Sequence, residues 1–268
     1  MLARTPLPPE FVEWNRRWGA PWGMPAASGL SLGERLASDR RSEFGPFAFQ
    51  ANNTTREFEY PWAFQATPLR AGMRAVELGA SLTGFQFVLA QAGLEVLGVD
   101  PGDASTGAQD NALNAENHAL LNAAFETSVS LHQERLENVS LPASSIDRVF
   151  CISTLEHIHP ADLPSLLAEI WRILRPGGML VLTIDLFLDL HPFATARENE
   201  WGTNIDIGNF IQESRLQLVQ GVPAELYGHP LFRAHRVESM LPSLVIGRGH
   251  PVVVQALVLE KPGDPPPL

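Results

Sequence analysis

Val76-Glu77-Leu78-Gly79-Ala80-Ser81-Leu82-Thr83-Gly84, followed after a helical stretch by Leu97-Gly98-Val99-Asp100, decides the fold of this chain. An apolar run ends in an acid, a tight turn of small residues follows, and a second apolar run ends in another acid. That order is the layout of the first β-α-β unit of a nucleotide-binding sheet. The turn reads G-x-S-x-x-G at 79–84, where small residues let backbone N–H groups come close to a ligand. Asp100 stands where a carboxylate accepts hydrogen bonds from the two hydroxyls of a ribose. Asp-Pro-Gly at 100–102 is also turn chemistry in its own right. Glu77, the acid ahead of the first glycine, favours one cofactor class over the others.

Strand and helix signals alternate from residue 73 onward, which predicts an α/β fold with a parallel sheet and crossover helices. Strands are predicted at 73–78, 95–99, 127–131, 146–152 and 179–184. Helices are predicted near 84–92, 107–124 and 161–174, the last stopping at Arg175-Pro176-Gly177-Gly178. A loop-rich stretch runs to about 205. A helix near 206–214, a strand near 216–220, an irregular segment over 221–250 and a last strand from Val252 to Leu259 complete the pattern. Residues 1–66 hold four of the six tryptophans (Trp14, Trp18, Trp22 and Trp62). They read as an ordered extension with short helices near 8–18 and 57–66, because so many aromatics are costly to leave in water. The expected organisation is a cap over 1–66, a main domain over 67–261 with substrate-side segments at 185–205 and 221–250, and a Pro-rich tail over 262–268.

The formal net charge of −11 argues against a phosphate-backbone binder, which needs clustered Lys and Arg. No stretch approaches the roughly 20 apolar residues of a membrane span. The single cysteine, Cys151, rules out a disulfide framework within the chain and reads as a small core residue. No nucleic acid, no membrane, and a cytoplasmic location are therefore expected.

Two further segments sharpen the reading. One is Ile146-Asp147-Arg148-Val149-Phe150-Cys151-Ile152-Ser153-Thr154-Leu155-Glu156-His157-Ile158, and the other is Leu174-Arg175-Pro176-Gly177-Gly178 followed by an apolar run. With the first two, they resemble the class I S-adenosylmethionine-dependent methyltransferases, in particular a small-molecule group with an LEH-I turn and an L-[RK]-P-G-G turn. The likeness covers roughly 70–185 and extends more loosely to 260. It implies a Rossmann-like sheet of seven strands, mostly parallel, with an antiparallel last strand. It implies that Glu77 orients the methionyl end of S-adenosylmethionine, that Gly79, Ala80 and Ser81 line its methionyl and ribose side, and that Asp100 holds the ribose, with Pro101 beside the adenine. Glu134 and Leu136 would flank the adenine, with Glu137 as the competing choice, and Ser153 and Thr154 would face the methionine portion. The family's E/D-x-G-x-G-x-G departs here to Glu77-Leu-Gly79-Ala-Ser81-Leu-Thr83, with two of three glycines replaced.

Methyl transfer needs few protein groups beyond placement and a base for a protonated acceptor, because the methyl is already activated on a sulfonium. His157, after the fourth strand, is the first candidate base, and it also suits a structural or cofactor-shell role. His191 is the second. Asp185, Asp189 and His191 raise a metal site, but no metal is expected. Arg56, Tyr60 and Trp62, in a stretch resembling the family's E-Y-P-W entry, and Trp201, in a polar loop, are candidates for closing over the methionyl carboxylate or the acceptor. Tyr60 and Trp62 equally suit packing of the extension onto the sheet. The expected activity is methyl transfer to a small-molecule acceptor at oxygen or nitrogen. The rivals are a nicotinamide-dependent Rossmann reductase and a methyltransferase-fold protein that binds cofactor without turnover. The aromatic extension is the expected contact surface if the chain forms a homodimer.

Overall fold

The computed structural model describes residues 1–102 and 113–263. It divides into two compact units, one formed by Pro8–Val139 and the other by Met1–Leu7 with Ser140–Leu268. Among the described residues the main sheet has seven strands.

In Pro8–Val139 the helices are α1 (Pro9–Trp18), α2 (Leu32–Ala37), α3 (Arg41–Phe44), α4 (Arg56–Gln65), α5 (Gly84–Gln91) and α6 (Ala115–Phe125). The strands are β1 (Arg74–Leu78), β2 (Glu95–Val99) and β3 (Ser130–His132), all parallel in the order β3-β2-β1. Local chemistry explains the helix ends. Proline opens α1 and Gly19 closes it in the left-handed conformation. Ser31 and Glu34 form a reciprocal capping box on α2. Asn114 caps α6 by accepting the Asn117 N–H. The helix expected at 107–124 is thus seen from Ala115; residues 107–112 lie outside the described residues.

The aromatic extension is ordered within this unit. Trp14 packs edge-on against Phe47, and Phe11 does so against Phe58. Tyr60 lies against Phe47 and stacks on Phe85 of α5. Phe49 and Phe87 both meet Phe125 of α6. Gly84, the last residue of the G-x-S-x-x-G turn, sits beneath the Pro46–Phe49 turn. A Cβ there would lie 2.6 Å from the Pro46 carbonyl carbon and 2.7 Å from Phe47. This glycine serves the close approach of the extension to α5. Trp22 is the exception among the extension's tryptophans, with nearly half its surface exposed.

The second unit contains β4 (Ile146–Ile152), α7 (Leu163–Ile173), β5 (Leu174–Phe187), the short hairpin β6 (Glu198–Asn199) and β7 (Gly202–Thr203), α8 (Ile207–Ser214), β8 (Gln217–Gln220), α9 (Ala234–Met240) and β9 (Val252–Glu260). Its main-sheet strands run β4-β5-β9-β8, with β4 and β5 parallel and β9 antiparallel to both neighbours. Every residue of β4 is buried, as are all but the last of β9, which fits strands covered on both faces. Cys151 is buried among them. Met1–Leu7 joins this unit through bridges from Leu2 to Gln255 and from Arg4 to Leu244.

Two expectations are corrected here. The Arg175-Pro176-Gly177-Gly178 segment does follow the helix end, but it lies within β5 as a register break. Ile146 pairs with Leu174 and Arg148 with Met179, so the turn bulges between them. Lys261 pins it. Its N–H donates to the Gly178 carbonyl, its carbonyl accepts the Gly177 N–H, and its ammonium donates to the Trp171 and Leu174 carbonyls at the end of α7. The segment 221–250, expected to be irregular, contains α9, because Val237 buries itself with Leu2, Leu186, Leu244 and Val253.

The tight fit at Gly84 has a measurable consequence. Gly84→Ala is expected to cost about 1–3 kcal/mol of stability through overpacking. Gly33→Ala, where an added Cβ meets nothing within 4 Å, is expected to be neutral or slightly stabilising in its helix. Urea midpoints of the two variants check this, and equal midpoints would contradict it.

Candidate functional site

The turn after β1 is held by three side chains. Glu77, in β1 itself, is 1% exposed. Its Oε1 accepts the Thr83 hydroxyl at 2.7 Å, and its Oε2 has no hydrogen-bond partner among the described residues. Burial, with a lesser push from the Asp100 charge, raises its carboxyl to about 8, against a lowering by the Thr83 hydroxyl. Asp100, at the end of β2, accepts the Ser81 N–H on Oδ2 at 2.9 Å and the Gly102 N–H on Oδ1 at 2.8 Å. Gln86, fully buried in α5, donates its amide towards the carbonyls of Ser81 at 3.1 Å, Thr83 at 3.2 Å and Ala80 at 3.4 Å. Its Oε1 meets His118 Nε2 at 3.0 Å.

These contacts explain how the chain keeps the turn with two glycines missing. Gly79 has φ 69° and Ser81 has φ 40°, a left-handed value that a serine adopts at a cost of order 1–3 kcal/mol. The Asp100 and Gln86 hydrogen bonds at the Ser81 N–H and carbonyl fix that residue from both sides. Thr83, at another lost glycine position, supplies the donor for Glu77. Gln86 carries no recognisable motif and was invisible to sequence reading. A buried amide two residues into a helix gives no periodic signal of its own.

Arg56, Tyr60 and Trp62 belong to the same unit. Arg56 reaches both oxygens of buried Glu59, at 2.6 and 2.7 Å. The Tyr60 hydroxyl donates to Asn52 Oδ1 at 2.8 Å. Burial pushes that hydroxyl above the usual tyrosine range; Glu77, Glu59 and Arg56 are the charges that act on it. Tyr60 therefore lies within electrostatic reach of the Glu77 carboxyl. Trp62 is buried and stacks on Phe58, so its ring is engaged in packing. Past β3, Leu136 is buried while Glu134 is half-exposed and 3.9 Å from His132. Pro101 is exposed.

In the second unit, Ser153 and Thr154 follow β4, with Ser153 buried at φ 41°. The Ser153 hydroxyl approaches Asp185 Oδ1 at 3.4 Å, and the Asp185 N–H donates to Glu156 Oε1 at 3.0 Å. His157 is exposed, and its Nδ1–H donates to the Trp201 carbonyl. Thus the structure brings His157 and Trp201 together, whereas His191 stands apart, its Nδ1 3.0 Å from the Tyr227 hydroxyl. Asp189 accepts from Asn199 instead of joining Asp185 and His191. Among the described residues no group of three or more His, Cys, Asp or Glu side chains is placed to hold a metal. The segment at 199–204, read from sequence as a loop, is the β6–β7 hairpin. His250 lies 4.0 Å from Asp185 and beneath Trp201. It was not singled out in the sequence, because it stands alone just before β9 with no motif around it.

The buried Glu77 carboxyl and the Asp100 carboxylate beside the turn suit a cofactor with a cationic amino-acid end and a ribose. Comparison with known proteins points the same way. Residues 76–182 match the family described as "Methyltransferase domain". A probable methyltransferase, ltbC, of Aspergillus luteorubrus is 33% identical over 67 residues, covering 25% of this chain and 24% of that one. A carboxy-S-adenosyl-L-methionine synthase of Aliivibrio fischeri is 29% identical over 125 residues, 42% of this chain and 48% of that one. The chain thus spans less than half the length of these curated relatives. Among solved structures, the [4+2]-cyclase SpnF superposes with a TM-score of 0.54 over 85% of this chain and 86% of that one, at 16% identity, a likeness of fold.

Two outcomes are expected at this turn. Gln86→Leu should lower stability by roughly 1–3 kcal/mol in urea, since it strips the amide from buried carbonyls; an unchanged midpoint would contradict the clamp. Folded Glu77 holds its proton up to about pH 8, against an ordinary value of 4.5, so between these values the folded chain binds more protons than the unfolded one. Stability should fall as pH rises through that window and level off above it. Glu77→Gln should remove this component, read as the difference between the two pH–stability curves; superimposable curves would contradict it.

Proposed function

We propose, from the premise that residues 76–182 belong to the class I S-adenosylmethionine-dependent methyltransferase family, that this chain transfers a methyl group to a small-molecule acceptor at oxygen or nitrogen. The observation that carries the proposal is Glu77, a buried carboxyl whose Oε2 lacks a partner among the described residues, at the foot of a turn held by Gln86 and Asp100. An orphaned buried oxygen is costly unless a ligand completes it. The ammonium of S-adenosylmethionine is a ligand that does so, and its charge favours the ionised form of Glu77.

The cofactor supplies an activated methyl on a sulfonium. The chain's residues do the rest. Asp100, at the end of the second strand, accepts the ribose hydroxyls. Gly79, Ala80 and Ser81 present backbone beside the methionyl and ribose portions, with Pro101, Glu134 and Leu136 toward the adenine. Arg56, which acts electrostatically on Tyr60, offers its guanidinium to the methionyl carboxylate. His157, tied to Trp201, positions the hairpin in preference to acting as a free base, and His191 stays a candidate on the acceptor side. The nicotinamide reading finds no support in the family match.

The acidic net charge argues for a small molecule over a nucleic acid as acceptor. Among the described residues no helix is long and apolar enough to cross a membrane. A single buried cysteine is in keeping with a reducing, cytoplasmic setting. Exposed Trp22 is where we place the contact of a homodimer.

Calorimetry with S-adenosylhomocysteine tests the proposal. Saturable binding is expected, weakened at least about tenfold in Asp100→Ala, or roughly 1.4 kcal/mol. No binding to folded protein would overturn the reading, and an unchanged affinity in Asp100→Ala would overturn the ribose assignment.

A further inference from the structure

His118, in α6, is buried between two amides whose hydrogen-bonding roles are already settled. On one side, Gln86 turns its Nε2 to the carbonyls of Ser81, Thr83 and Ala80 at 3.1, 3.2 and 3.4 Å. Carbonyls only accept, so this end of Gln86 is its NH2 and the other end is its oxygen. That oxygen, Oε1, lies 3.0 Å from His118 Nε2. An amide oxygen also only accepts, so Nε2 carries a hydrogen and donates it. On the other side, Asn122 Oδ1 accepts the Thr127 hydroxyl at 2.8 Å and the Val129 N–H at 2.9 Å. Asn122 Nδ2 donates to the Val129 carbonyl at 2.9 Å and approaches His118 Nδ1 at 3.4 Å. An imidazolium would set its Nδ1–H against that NH2, so the ring is neutral, and burial acts in the same direction by lowering its proton affinity. Gly98 in β2 makes room for the arrangement, since a Cβ there would lie 2.6 Å from Gln86 Oε1. Phe87 packs against the imidazole with ring centres 5.4 Å apart.

We propose that His118 is a positioning residue for S-adenosylmethionine: its Nε2–H holds the Gln86 amide, and through it the left-handed Ser81 turn, in the form that binds the cofactor. This inference rests on the methyl-transfer reading above. The hydrogen bonds run in one direction, from Asn122 to His118 to Gln86 to the three carbonyls of the turn. Ser81 stands where the resembled family's pattern has a glycine, and its φ of 40° is strained for a serine. Capture of its carbonyl by Gln86 offsets that strain. Without the His118 donor, Gln86 Oε1 is left buried and unsatisfied, a cost that the side chain relieves by rotating away. Rotation releases the carbonyls, and Ser81 relaxes to a negative φ, taking its N–H off Asp100. The turn must then be rebuilt each time cofactor binds, at the expense of affinity. A glycine at 81 would need no such support, so the relay is what permits the serine.

The test is S-adenosylhomocysteine calorimetry on a double-mutant cycle. His118→Leu, which keeps an apolar group beside Phe87 but has no donor, should weaken binding about threefold to tenfold, the worth of one net hydrogen bond. His118→Gln, whose amide N–H takes the place of Nε2–H, should restore most of that loss. In a Ser81→Gly background, His118→Leu should cost at most about twofold, because the strain it exposes is gone. A merely structural role for the histidine would give the same loss in both backgrounds. Nitrogen-15 spectra of the unaltered chain at pH 7 should show His118 as the Nε2–H tautomer with Nδ1 bare. This readout needs no variant, so the proposal remains open to refutation even where His118→Leu fails to fold. The opposite tautomer, an imidazolium, equal affinities in the unaltered chain and His118→Leu, or an equal loss in both backgrounds overturns the proposal. Binding that ignores His118 overturns this inference alone, whereas an unaltered, folded chain that binds no S-adenosylhomocysteine overturns the reading beneath it.

Discussion

Glu77 sits at the end of β1 with a side-chain donor in Thr83 and one oxygen that nothing among the described residues satisfies. Burial there disfavours the charged form and raises the carboxyl to about 8. The surrounding turn holds this group in place. Asp100 holds the Ser81 N–H, Gln86 gathers the carbonyls of Ala80, Ser81 and Thr83, and β1 and β2 set the two acids on adjacent parallel strands.

This constraint changes how the glycine-poor turn is understood. In the resembled family's pattern, glycines give the backbone freedom to approach the cofactor. Here the replacements are part of the device. Ser81 reaches a left-handed φ because its N–H and carbonyl are both captured, and Thr83 provides the hydroxyl that orients Glu77. Gly84, which completes the apparent fingerprint, works in the packing of the Pro46–Phe49 turn against α5. The fingerprint therefore mixes cofactor chemistry with internal packing.

Much of the fold was legible in the residues because its signals are local and periodic. Apolar runs ending in Glu77, Asp100 and Ser153, the helical spacing of Leu166, Leu167, Ile170 and Ile173, and the continuous apolar run of β9 all translate directly into elements. The bulge at Arg175–Gly178 was not legible, because its cause, Lys261, lies far along the chain. The same holds at the site. Glu77 and Asp100 announce themselves by position, whereas Gln86 and His250 act through contacts with residues on other elements. Trp201 was legible as a candidate, but its rigidity comes from Asn199, His157 and Gly202, none of which marks it in sequence.

The central claim is that Glu77 is a protonated acid awaiting a cationic ligand. Calorimetric titration of S-adenosylhomocysteine at pH 7, repeated in buffers of different ionisation enthalpy, counts the protons exchanged on binding. A carboxyl at about 8 that ionises against the ligand's ammonium releases close to one proton, and Glu77→Gln abolishes that release. Binding with no proton released, or a release that survives Glu77→Gln, would contradict the account.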